Sequence, residues 1–263
     1  MDTDVSAKSE KYNIRAVERC FAIMDIFAKA DGALTVQTVS EELGINSNMA
    51  FRMLTTMTKA GYLEKDEKTG LFSVSLKFLP LSRKALMAME IRRVVIPFFE
   101  SLRGKYPKAN LNLAVFSQNE VVVVDRIDSM SLPLTYCVPG KSLPFHASAL
   151  GKALTCELPD DELDALIKTK GLTAYTPNTN TTPETLRAAL AKVRHDQVSR
   201  DRSELIPTHN CNAVPLRDAK GKIIAAMSLA AFETYMSIQE IEDTIPILME
   251  TGRNISYFMG YNA

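Results

Sequence analysis

A chain of 263 residues, 46% hydrophobic and 24% charged, is long enough for two ordinary domains and too apolar to remain unfolded. Its formal net charge is zero, so any nucleic-acid binding must come from a local face rather than from a bulk positive field. Four scattered cysteines without a CxxC pair, three histidines without zinc-like spacing, and apolar runs as short as Val121–Val124 argue against a disulfide framework, a metal site and a membrane span.

Met1 to Lys11 is acidic and polar and has no apolar h-region, so it reads as a frayed tail on a cytoplasmic protein rather than a secretory signal. Ile14, Val17, Phe21, Met24 and Phe27 then recur at three- and four-residue steps, which predicts an amphipathic helix ending at Asp31-Gly32. Thr35 can cap a second helix with Val36, Val39 and Leu43 inward. Gly44 ends it, because glycine adopts the left-handed geometry of a helix end at little cost. Asn46 can cap a third helix with Ala50, Met53, Leu54 and Met57 inward. Two short helices joined at Gly44-Ile45-Asn46 have the spacing of a helix-turn-helix, whose second helix enters a DNA major groove.

The outer face of that third helix carries Ser47, Asn48, Phe51, Arg52 and Thr55, candidates for contact with base edges and phosphates. A hairpin follows: Tyr62-Leu63-Glu64, a polar turn, then Leu71 to Ser75. Its tip, with Lys65, Lys68 and Thr69, is the expected wing against the DNA backbone. Through Phe98 there are 14 Lys and Arg against 12 Asp and Glu, so charge neither supports nor opposes this reading.

These residues, taken with later blocks, make the chain similar to the IclR family of transcriptional regulators. The similarity runs from Ile14-Arg15-Ala16-Val17-Glu18-Arg19 through Arg52-Met53-Leu54 and Gly61-Tyr62-Leu63. It continues in Pro144–Leu154, in Ala174-Tyr175-Thr176-Pro177-Asn178-Thr179, and in Cys211-Asn212-Ala213-Val214-Pro215-Leu216. Two departures stand out. The recognition helix opens Ser47-Asn48-Met49 where the family usually has Lys-Ser-Thr, which removes a phosphate-binding lysine. Asn210 replaces the arginine that usually precedes Cys211, so the loop Arg202 to Asn210 is expected to give a pocket of different polarity.

Beyond the wing, Leu76 to Met89 is apolar at helical spacing and leads to Arg92-Arg93 and Pro97. It is read as a linker helix over 76–97, between a winged helix at 12–75 and an effector-binding domain at 98–263. Within that domain the strands expected are the Leu111, Leu113, Val115 alternation, Glu120 to Ile127 after a Gln118-Asn119 turn, Leu134 to Val138, Cys211 to Arg217 and Lys222 to Phe232. Helices are expected at Ala147–Glu157, Pro159–Thr169, from Thr182-Pro183 to Asp196, and from a Ser237/Glu240 capping box onward with a kink at Pro246. The fold class is α+β, and the resemblance implies a GAF-like antiparallel sheet with flanking helices.

The small residues Ala147 and Ser148 at a helix start leave N–H groups open to a carboxylate. The resemblance implies an effector pocket at Tyr136, Leu143, Ala149, Leu150, Asp201 and Cys211, with Ser148 for a ligand carboxylate and Asp201 accepting from a ligand hydroxyl. The competing reading is an enzyme with Cys211 as nucleophile and His209 as base, or His146 paired with Ser148. Residues two apart on a strand share a face without meeting tip to tip, and neither a G-x-S-x-G elbow nor a phosphate-cradling glycine loop is present. The sequence therefore reads as a cytoplasmic regulator, expected to be a repressor of a catabolic operon. It needs no cofactor; its partners are double-stranded operator DNA, a small organic acid or aromatic catabolite, and a second copy of itself in a homodimer or homotetramer.

Overall fold

The computed structural model describes residues 14–129 and 137–262, so the tail Met1 to Lys11 lies outside the described residues. The chain forms two compact units that divide between Ala85 and Leu86.

The first unit holds α1 (Arg15–Lys29), α2 (Val36–Leu43), α3 (Ser47–Lys59) and a hairpin of β1 (Leu63–Lys65) and β2 (Phe72–Val74). Local chemistry sets each helix start. Thr35 Oγ1 accepts the Thr38 N–H at 3.0 Å, and Asn46 Oδ1 accepts the Met49 N–H at 2.9 Å, each satisfying an orphan donor. Gly44 closes α2 at φ +61°. The core joins Ile23, Phe27, Val39, Ala50, Leu54, Met57, Leu63 and Phe72. One expectation is corrected here. In α1 the buried face is Ile23 and Phe27 with Cys20 and Met24, while Ile14, Val17 and Phe21 are 65%, 46% and 60% exposed. At 100° per residue they form a second stripe, roughly a quarter turn from the first.

The stretch 76–97 is not one connecting helix. A 3₁₀ turn at Leu76–Phe78 leads into α4 (Leu79–Met87), Met89 is extended, and α5 (Glu90–Lys105) then runs through Pro97. Ile91, Val95, Phe99 and Leu102 of α5 lie in the core of the second unit. Pro97 and Arg93 are exposed, so water can take the carbonyl that the proline leaves without a partner, and the helix persists.

The second unit is built on six antiparallel strands in the order β5-β4-β3-β8-β7-β6: β3 (Asn110–Ser117), β4 (Glu120–Ile127), β5 (Ser142–Leu143), β6 (Ser199–Arg202), β7 (His209–Arg217) and β8 (Ile223–Phe232). Gln118 and Asn119, both at positive φ, make the two-residue turn between β3 and β4. One sheet face carries Leu111, Leu113, Val214, Leu216, Met227 and Leu229 against α5 and the C-terminal α10 (Ile245–Phe258). The other carries Ala114, Cys211, Ala213, Ala226 and Ala230 beneath α6 (Ala149–Thr155), α7 (Asp160–Lys170) and α8 (Pro183–Asp196).

Three details differ from the sequence reading. Strands β5 and β6 lie in stretches with no expected element. The Ser237/Glu240 box caps a short α9 (Ile238–Glu242), and Pro246 sits in the first turn of α10, so the final helix is two helices rather than one kinked helix. In the expected strand Leu134 to Val138, residues 134–136 lie outside the described residues, and Cys137 and Val138 are not strand.

Candidate functional site

In the first unit, the turn between α2 and α3 is held from within. Ser40 Oγ donates to the Ile45 carbonyl at 2.7 Å and lies 3.4 Å from Ser47 Oγ. Ser47, Asn48, Phe51 and Arg52 are exposed and Thr55 is half-buried, so the expected reading face stands clear of the core. Arg19 of α1, which the sequence reading passed over, sets Nη1 3.0 Å from Met49 Sδ, placing a cation beside the start of α3. At the wing tip, Asp66 Oδ1 accepts the Lys68 and Thr69 N–H groups at 2.8 and 3.0 Å, which fixes the turn; those two hydrogen bonds draw the Asp66 pKa down. Lys68 and Thr69 are exposed there, whereas Lys65 is half-buried and pairs with Glu67 at 3.1 Å.

In the second unit, Leu143, Ser148, Ala149, Leu150, Asp201 and Cys211 all line one narrow cavity. Tyr136 lies outside the described residues. Sheet register explains the convergence: Cys211 stands between Asp201 on β6 and Ala230 on β8, and its side chain shares their face. The small residues of that face leave a gap below α6 of about 20 Å³, roughly the room of one water, so a larger occupant must push α6 and the loop after β6 apart. Asp201 is 2% exposed, and loss of hydration pushes its pKa up to about 7 even though Oδ1 accepts the Glu204 N–H at 2.7 Å. Ser148 is committed to the start of α6. Its Oγ donates to the Pro144 carbonyl at 2.8 Å and accepts the Gly151 N–H at 3.0 Å, so a ligand carboxylate would have to compete with that cap.

The loop after β6 is pinned by the block Ala174–Thr179. Thr176 Oγ1 donates to the Ser203 carbonyl and Thr179 Oγ1 to the Glu204 carbonyl, each at 2.6 Å. The Glu204 carboxylate takes a buried ion pair from Lys152 and a hydrogen bond from Asn180 Nδ2 at 2.8 Å. Together these hold the Glu204 N–H on Asp201. Asn210, by contrast, lies on the side of β7 away from Cys211 and donates to Glu233 at 3.0 Å. The departure at that position therefore does not change the cavity.

Sequence reasoning missed Asn112, Cys137, Leu205, Ser228 and Ala230, and weighed His209 only as a base; all six line the cavity. The signal available was polarity at strand centres: Asn112 and Ser228 interrupt apolar runs. For the Cys211/His209 pair, burial pushes the thiol up and lowers the imidazole to about 4, so neither the thiolate nor the imidazolium is favoured. No cluster of His, Cys, Asp and Glu suited to a metal occurs among the described residues, and no helix there is long and apolar enough to cross a membrane.

Residues 16–67 match the family model of the IclR helix-turn-helix domain, and residues 83–257 match that of the bacterial transcriptional regulator IclR C-terminal domain. The chain is 26% identical to the HTH-type transcriptional regulator XynR of Escherichia coli K12, over 95% of this chain and 99% of XynR. It is 29% identical to the HTH-type transcriptional repressor AllR of Klebsiella pneumoniae, over 96% of this chain and 92% of AllR. Its fold is similar to that of the IclR transcriptional regulator from Alicyclobacillus acidocaldarius (TM-score 0.79, 18% identity, 95% of this chain and 100% of that one). It is also similar to an IclR homolog from Microbacterium hydrocarbonoxydans crystallised with 4-hydroxybenzoate (TM-score 0.77, 24% identity, 93% and 98%).

Proposed function

The chain belongs to the IclR family of bacterial transcriptional regulators, and we propose that it is a repressor of a catabolic operon, released or retained on DNA by a small organic acid. Family membership makes it a regulator rather than an enzyme, with the helix-turn-helix as its DNA-binding part. The repressor sign follows AllR, which is a repressor. In this reading the protein acts in the cytoplasm as a homodimer or homotetramer. Ser47, Asn48, Phe51, Arg52 and Thr55 meet the major groove, and Lys68 and Thr69, with Lys65 behind them, meet the flanking backbone.

The observation that carries the effector assignment is Asp201. A carboxyl buried to 2% exposure at the floor of a cavity, with one oxygen on the Glu204 N–H, is an acceptor suited to a ligand hydroxyl. The 4-hydroxybenzoate bound by the Microbacterium homolog combines a hydroxyl and a carboxylate, which is the chemistry expected here. The test has two steps. Selection from random DNA should return a short palindrome, since a symmetric oligomer reads paired half-sites. Titration of hydroxylated and aromatic acids should then change the affinity for that site. Binding of DNA without sequence preference would overturn the regulator assignment, and an operator affinity unmoved by any such acid would overturn the effector assignment.

A further inference from the structure

We propose that Asn112 is a specificity-determining contact in this cavity: its carboxamide oxygen accepts a hydrogen bond from a hydroxyl of the bound small molecule, so the site selects hydroxylated ligands. The proposal rests on the effector reading above and adds a residue and a ligand class to it.

Asn112 sits at the centre of β3, 4% exposed, on the sheet face that turns toward α6. Register sets it directly across from Ser228 of β8, and Nδ2 donates to Ser228 Oγ at 3.2 Å. Its Oδ1 is buried and has no hydrogen-bond partner among the described residues. The neighbour two residues earlier shows what a structural asparagine looks like on the same strand face: Asn110 Oδ1 accepts the Ser129 N–H at 3.0 Å. A buried oxygen without a donor works against folding, and an apolar β-branched residue would suit a strand centre better. An orphan acceptor lining a cavity is accounted for when the cavity's occupant brings the donor.

Asp201 supplies a second acceptor from β6, at the other side of the cavity. Strands β8 and β7 lie between, so the two backbones are three strand spacings apart, roughly 14 Å. One small molecule meets both acceptors only if it carries donors near opposite ends. Reversing the Asn112 amide would still leave one of its polar atoms unpaired, but as a donor aimed at an acid rather than an acceptor aimed at a hydroxyl, and this alternative is separable by substitution.

The test uses the full chain and matched acids with and without a hydroxyl: 4-hydroxybenzoate and benzoate, glycolate and acetate, lactate and propanoate, gluconate and hexanoate. Binding is read by calorimetry and by the shift in melting temperature. Wild type should bind at least one hydroxylated member tenfold or more tightly than its partner. Asn112→Leu removes both the unpaired oxygen and the Nδ2 bond to Ser228, so it should melt close to wild type, and it should cut the preference for the hydroxylated member severalfold, Asp201 remaining as the other acceptor. Asn112→Asp keeps acceptor oxygens and should retain the preference; Asn112→Ala stands in if the leucine variant does not fold. An undiminished preference in Asn112→Leu, loss of preference in Asn112→Asp, or a wild type indifferent to the hydroxyl would each overturn the proposal while leaving a ligand-binding cavity in place. Failure of every acid to bind wild type would bring down the effector reading itself.

Discussion

Asp201 and Arg52 represent the two kinds of functional side chain in this protein, one removed from water and one left in it. Burial raises the Asp201 pKa to about 7, against about 3.9 for a free aspartate. The folded chain therefore holds a proton that the unfolded chain gives up, so Asp201 by itself makes stability fall as pH rises from about 4 to about 7, while His209, kept neutral down to about 4 by burial, makes it rise over much of the same window. Asp201→Asn should leave the His209 contribution unopposed, so that thermal stability rises more steeply with pH between about 4 and 7 than in wild type; a profile parallel to wild type would mean that Asp201 does not titrate in this range. The same variant should keep operator affinity and lose response to the hydroxylated acid, with effector binding weakened about tenfold or more. Arg52, exposed on α3, should behave in the opposite way. Arg52→Ala should leave the melting temperature within a degree or two and weaken operator binding by about 1–3 kcal/mol if it reads a base. If it grips a phosphate, all sequences should weaken together and the salt dependence should flatten. Unchanged operator affinity would exclude Arg52 from the interface.

At the scale of elements, α6 shows how little tolerance surrounds the cavity. A Cβ on Gly151 would lie 2.5 Å from the Phe145 Cα and carbonyl and 2.7 Å from Ser148 Oγ, so only glycine lets the cap close. Gly151→Ala should cost about 1–3 kcal/mol of stability through overpacking, measured by denaturant unfolding, and more where the Ser148 cap also fails. Lys152→Met should cost about 3–5 kcal/mol, because it strands Glu204 as an uncompensated buried charge and frees the loop that holds Asp201. Helix starts were legible in the sequence because their chemistry is local: Thr35, Asn46, Thr182 and Ser237 each accept a backbone N–H three residues on. Strand β6 was not. Ser199-Arg200-Asp201-Arg202 has no apolar alternation, and it is a strand because β7 supplies a partner ladder and packing in the folded unit buries Ser199 and Asp201. Cavity residues carried by a motif (Leu143, Ser148, Ala149, Leu150, Cys211) could be named in advance. Asn112 and Ser228 gave only the weak signal of polarity at strand centres, since it is cross-strand register that brings them together. The break at Met89 and the division of the last helix at Asp243-Thr244, with Pro246 in the first turn of α10, do not show in apolar periodicity alone.

For the whole molecule, the side chains left in water raise the question of assembly. Ile14, Val17 and Phe21 in the first unit, and Leu76, Leu79 and Leu81 after the wing, are 46% to 76% exposed. That much apolar surface favours self-association. Sedimentation at micromolar concentration should give a dimer or tetramer, and charge substitutions at Val17 and Phe21 should shift it toward smaller species and weaken operator binding through lost avidity. A monomer both free and on DNA would contradict this. The central sheet carries a longer-term implication. Leu111, Leu113, Met227 and Leu229 hold the fold together on one side, while Ala230, Ser228, Asn112 and Cys211 shape the cavity on the other. Because alternate residues of the same strands serve these two ends, descendants of this gene can change the molecule they answer to by single substitutions at the few polar or small cavity positions, while the core on the opposite face keeps its packing. The strand pattern thereby gives sensing room to diverge while the scaffold stays under constraint.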